Sequence, residues 1–114
     1  MDDRTLLGLA AKAFGIAIGF EGDRVYCENC TDLSWNPLTD DGDALRLAVT
    51  LYFSIKIFRP TFDEFEEPGM IEIWHDNSTD PIHVEYYDKC NGRQAATRCA
   101  ITYAAAIIGA NDGL

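Results

Sequence analysis

Three groups of side chains have types and spacings that could do chemistry: the aspartates of "TDDGD" (Asp40, Asp41, Asp43), the thiols of "CENC" (Cys27, Cys30), and His75 and His83 with Asp76, Asp80 and Glu85 nearby. Carboxylates spaced around a glycine can hold calcium, two thiols two residues apart supply half of a zinc tetrahedron, and a histidine beside a carboxylate can move protons. The calcium reading fails on spacing. With Gly42 in the sixth position of such a loop the first ligand would be Pro37, and no register supplies the closing glutamate. The same aspartates fall in or beside the first turn of a helix, where carboxylates accept free backbone N–H groups and meet the positive end of the helix dipole. Thr39 or Asp40 is the expected cap, an interaction worth about 0.5–2 kcal/mol.

A zinc site on Cys27 and Cys30 would need two more ligands. His75, His83, Cys90 and Cys99 are available, but the second cysteine pair is nine residues apart and the histidines eight, so neither forms a close pair. A redox Cys-x-x-Cys motif belongs at the start of a helix, and here a hairpin precedes it and a loop follows. The cysteines therefore read as unpaired and reduced, with zinc on Cys27 and Cys30 as the alternative and Cys99 as a small core residue. His75 follows Trp74 and His83 sits between Ile82 and Val84 on strand-like runs, where successive side chains point to opposite faces. No nucleophile elbow accompanies them. The chain reads as a non-enzyme with no catalytic residue and no cofactor.

The loop "RPTFDEFEEPG" is the candidate protein-binding element. Between two prolines it interleaves Phe62 and Phe65 with Asp63, Glu64, Glu66 and Glu67. Aromatic anchors ringed by carboxylates suit an interface with a basic partner. The competing reading folds both phenylalanines back on the core.

Nineteen acidic against nine basic residues give a net charge of −10 over 114 residues. That balance argues against ordinary nucleic-acid binding, which needs a basic patch. The N-terminal "MDDRTLLGLAAKAFG" carries acids where a secretory signal carries bases, and no apolar run approaches the ~20 residues of a membrane span. A cytosolic protein is expected, with reduced cysteines and no membrane partner.

The elements that must position these groups follow from periodicity. Leu6, Leu7, Ala10, Ala13 and Phe14 recur at helical spacing, with Asp2, Asp3 and Thr5 as capping candidates and Gly15 as a stop. "IAIGF" and "RVYCEN" flank a tight turn at "EGD" and predict a hairpin. The helix after "TDDGD" has few polar positions and is expected to be well buried. "FSIKIFR", "MIEIWHD" and "IHVEYYDK" predict an antiparallel meander. "RQAATRCAITYAAAIIG" predicts a final helix with Ala96, Cys99, Ala100, Tyr103, Ala104 and Ile107 on its apolar face and Gly109 as its stop. The order is helix, hairpin, helix, three strands, helix. That is a single α+β domain over 1–114, with about five largely antiparallel strands in one sheet packed with three helices.

"WNPLTDDGDALRLAVTL" together with "AATRCAITYAAAIIG" resembles small bacteriophage and prophage proteins of the phage alpha-beta-alpha sandwich type. The resemblance covers about half of the chain in segments, and it leaves out the acidic loop and the cysteine pair. It implies a phage accessory protein in the host bacterial cytoplasm, with no catalytic residues to carry over. It further implies a protein that binds and inhibits a host protein or defence complex, such as an anti-CRISPR or other anti-defence inhibitor; an oligomer is compatible with the sequence, which does not set the oligomeric state. The alternative from another class is a zinc-binding or small-ligand-binding module.

Overall fold

A computed structural model of the protein describes residues 2–29, 33–61, 67–76, 78–87 and 92–111. Its elements are α1 (Asp3–Phe14), β1 (Ile18–Glu21), β2 (Arg24–Cys27), α2 (Asp41–Thr50), β3 (Phe53–Phe58), β4 (Gly69–His75), β5 (His83–Tyr87) and α3 (Arg93–Asn111). This is the expected α+β order. The five strands form two antiparallel sheets, β1-β2 and β3-β4-β5, rather than one. Beyond its strand partner, β2 makes an isolated bridge from Tyr26 to Ser34, and the chain then departs through α2.

Asp2 caps α1 by accepting the Thr5 N–H at 2.7 Å, and that hydrogen bond holds its carboxyl below the usual carboxylate range. Gly15 ends the helix in the left-handed region at φ 88°, its N–H reaching the carbonyls of Ala11 and Lys12. The β1-β2 hairpin pairs Glu21 with Arg24 across the Gly22-Asp23 turn. The meander registers Ile55 on Ile73 and Ile57 on Ile71, and it continues through Ile73 to His83 and Ile71 to Glu85.

α3 is the organising element. It touches α1, α2, β4 and β5, so its buried residues surround most of its circumference: Ala96, Ala100, Ile101, Thr102, Ala104, Ala105, Ala106 and Gly109. The alanines keep it thin enough for neighbours on several sides. Two expectations are corrected here. Gly109 lies inside α3, which runs on to Asn111, and it is a point of close approach rather than a stop. Ile107, expected on the apolar face, is 40% exposed.

α2 is also less buried than expected. Asp43, Ala44, Leu47 and Ala48 face inward, whereas Leu45 and Val49 are 61% and 66% exposed. One face of the helix meets α3 and the opposite face has no neighbour among the described residues, although both faces are apolar in sequence.

Tyr87 shows how the meander is clamped. Its ring crosses Gly69, where a Cβ would collide with it, and its hydroxyl donates to the Phe58 carbonyl at 2.8 Å. One side chain of β5 thereby spans β4 and reaches β3.

Candidate functional site

The acidic knot formed by Asp40, Asp41 and Asp43 is structural. Asp40 caps α2, accepting the Asp43 N–H at 2.8 Å. Asp41 pairs with Arg98 of α3 at 2.6 Å, and Arg98 also donates from Nε to the Leu38 carbonyl at 3.0 Å. Asp43 is buried and accepts from the Asn36 N–H at 2.9 Å and from Arg46 at 2.6 Å. Each carboxylate thus has a fold-holding partner. The expected caps were Thr39 or Asp40, and Asp40 takes the role.

The cysteine reading is corrected at Cys27. This residue is 2% exposed and its sulfur is in a disulfide whose other half lies outside the described residues. A sulfur so engaged supplies no thiolate to zinc. Asn29 Oδ1 approaches that sulfur to 3.1 Å and accepts the Ala17 N–H at 3.3 Å. Cys30, the other half of the proposed zinc pair, also lies outside the described residues. Among the described residues, no group of three His, Cys, Asp or Glu side chains is placed to hold a metal ion.

The two histidines have different surroundings. His75 sits edge-on to Phe53 with Asp76 at 3.6 Å from its Nδ1. His83 stacks on Tyr103 of α3, centroids 5.1 Å apart, and its Nε2 lies 2.9 Å from Glu85 Oε1. A carboxylate can only accept, so this bond fixes a proton on Nε2. Glu85 also neighbours the Cys99 thiol and raises its pKa. Cysteine, glutamate and histidine are therefore contiguous, but the carboxylate sits in the middle. A nucleophilic triad instead needs the histidine beside the thiol. Burial first, then Glu85, then the charge of Asp3, push the Cys99 thiol up to about 11. It is a protonated, unreactive thiol at neutral pH.

The described surface most suited to contact another macromolecule is the open face of the three-stranded sheet. Alternation places Ser54, Lys56 and Phe58 on one face with Met70, Glu72, Trp74, Val84 and Tyr86. The opposite face holds Ile71 and Ile73, both fully buried. On the open face Lys56 Nζ lies 4.7 Å from the Trp74 ring centroid, and the indole N–H donates to Glu72 at 3.1 Å. At the end of that face Phe58, Met70 and Tyr86 form one cross-strand row, with Phe58 44% and Tyr86 62% exposed. Together with Pro68, Arg59 and Glu67 they line a recess of about 450 Å³.

This row adjoins the loop predicted as the interface. Thr61 and Glu67 close the loop base: the Thr61 N–H donates to the Glu67 carbonyl at 2.8 Å and the Glu67 N–H to Thr61 Oγ1 at 2.7 Å. Glu67 is exposed, while Phe62, Asp63, Glu64, Phe65 and Glu66 lie outside the described residues. The sequence reading passed over Phe58, Met70 and Tyr86. Their signal was present in "FSIKIF" and "HVEYY", where a sheet with one face in water would alternate apolar with polar and these strands carry rings on both faces.

The fold and this surface define a small α+β protein with two exposed rings, Phe58 and Tyr86, on one sheet face beside an acidic loop. No helix among the described residues is long and apolar enough to cross a membrane. No family model, curated protein or solved structure matches the chain.

Proposed function

We propose that the protein acts without catalysis, by binding another protein through the Phe58–Met70–Tyr86 row and the acidic loop closed by Thr61 and Glu67. The observation that carries this reading is the exposure of two rings, Phe58 and Tyr86, in one row of a sheet face that would ordinarily be polar. Rings supply contact area at low conformational cost, and neighbouring carboxylates select a basic surface. The resemblance to phage proteins makes a host or phage protein the partner class, and inhibition of a defence complex, anti-CRISPR action included, the specific form of the reading.

The test is affinity capture from infected host cells, with the captured protein then purified and titrated against variants. Tyr86→Ala should weaken that titration at least about tenfold, the loss of an aromatic anchor. Leu45→Lys, on α2, should leave it unchanged. Equal binding by Tyr86→Ala and the parent protein would remove the sheet face from the reading.

A further inference from the structure

A second concavity opens on the helix side of the sheet, where α2 and the first turns of α3 diverge above β3. Ile55 and Ile57 form its floor, Ala44 and Leu45 one wall and Ile101 the other, around a volume of about 300 Å³. Ile57 is the informative residue. It shares its face of the sheet with Ile71 and Ile73, which are fully buried, yet it is 49% exposed. The core is left open here, and the opening is of the size small ligands occupy.

The rim carries three charges, from Asp41, Arg93 and Arg98. Asp41 and Arg98 neutralise each other at 2.6 Å, and Arg98 is held further by the Leu38 carbonyl. Arg93, the first residue of α3, has no ion pair among the described residues. Among the described residues the rim therefore keeps one unpaired positive charge, on a chain whose net charge is −10. The recess beside the acidic loop balances Arg59 against Glu67, and the shallow site between α1 and the hairpin sets Asp3 and Asp23 against Arg4. Neither has a cationic excess. Beside Arg93, the Thr97 hydroxyl donates to the Arg93 carbonyl at 2.8 Å, which leaves its oxygen free to accept.

We propose that this groove binds a small amphipathic monoanion, an aliphatic or aryl carboxylate. Its apolar body lies on Leu45, Ile55, Ile57 and Ile101, and its carboxylate meets the Arg93 guanidinium at the positive end of α3. The apolar lining supplies affinity for the body alone, so the sign of the head group decides which amphiphile is preferred. This inference does not rest on the protein-binding reading, because it uses the opposite face of the sheet from Phe58 and Tyr86.

The test is methyl-detected NMR titration of the whole chain with octanoate, octanol and octylammonium. Octanoate should give saturable shifts at the methyls of Leu45, Ile55, Ile57 and Ile101, and octanol should bind at least about tenfold more weakly, the worth of one charged hydrogen-bonded contact. Arg93→Gln should reduce octanoate to the octanol level without changing octanol itself. Leu45→Trp, at an exposed position, should fill the groove and abolish both; its thermal unfolding shows that the fold persists. The inference is overturned by octylammonium binding as tightly as octanoate, by Arg93→Gln binding octanoate like the parent, by shifts confined to the Tyr86 side, or by no saturable shift with octanoate.

Discussion

Gly109 of α3 rests directly on the carbonyl of Leu9 in α1, so closely that a Cβ at position 109 would occupy the space of that backbone oxygen. Backbone cannot rotate away as a flexible side chain can. Gly109→Ala must push α3 off α1, and overpacking of this kind costs about 1–3 kcal/mol. Gly8 in α1 is the matched control, since it is exposed and a Cβ there meets nothing within 4 Å. Gly8→Ala should raise stability by up to about 1 kcal/mol through helix propensity. Urea denaturation of the two variants should move the midpoint in opposite directions.

The three aspartates of the knot should rank by burial rather than by charge. The Asp43 side chain is only 11% exposed and holds both Asn36 and Arg46, so Asp43→Ala leaves the Asn36 N–H without its acceptor and should cost about 1–3 kcal/mol. Asp40→Ala removes a helix cap, about 1 kcal/mol. The Asp41 side chain is 73% exposed, and Asp41→Ala should cost less than about 1 kcal/mol despite the short bridge to Arg98. Equilibrium unfolding of the three single variants checks the order.

Much of this fold was legible because local chemistry and tertiary structure agree. The Asp40 cap, the Gly22-Asp23 turn and the three-strand meander are encoded within a few residues of where they act. What escaped the sequence depends on neighbours distant in the chain. "IIGA" reads as a helix end because glycine commonly stops helices, yet packing against Leu9, 100 residues earlier, keeps Gly109 inside one. The exposure of Leu45 and Val49 turns on which face of an apolar helix meets α3, and composition cannot choose between two apolar faces. At the candidate sites, spacing located the acidic loop, but only strand register places Phe58, Met70 and Tyr86 in one row beside it. The disulfide at Cys27 escaped because the expected compartment argued for reduced thiols.

Cys99 should give the protein an alkaline-sensitive stability. Its thiol, ordinarily near 9.0, is pushed up to about 11 by burial, by Glu85 and by Asp3, so the folded state favours the neutral form. The contribution is complete below pH 9.0 and is lost as pH rises from there through about 11. Comparison with Cys99→Ala isolates the thiol from every group the two proteins share. The midpoint of thermal unfolding should therefore fall more steeply across that window in the parent protein than in Cys99→Ala, and parallel curves would show that the thiol does not couple to folding.

Charge reversal in the acidic loop separates contact from steering. Replacing Glu64, Glu66 and Glu67 together by lysine changes the net charge from −10 to −4, two units at each of three positions. Glu67 is exposed at the loop base and its own structural bonds are made by backbone groups, so its carboxylate can be exchanged without opening the Thr61 clamp. The unfolding midpoint should stay close to that of the parent. Association with the captured partner should slow, and rising salt should depress the on-rate of the parent more than that of the variant, because screening removes only the attraction that the carboxylates supply. Surface plasmon resonance across a salt series measures both quantities, and an unchanged on-rate would leave Phe58 and Tyr86 to make the contact without the loop.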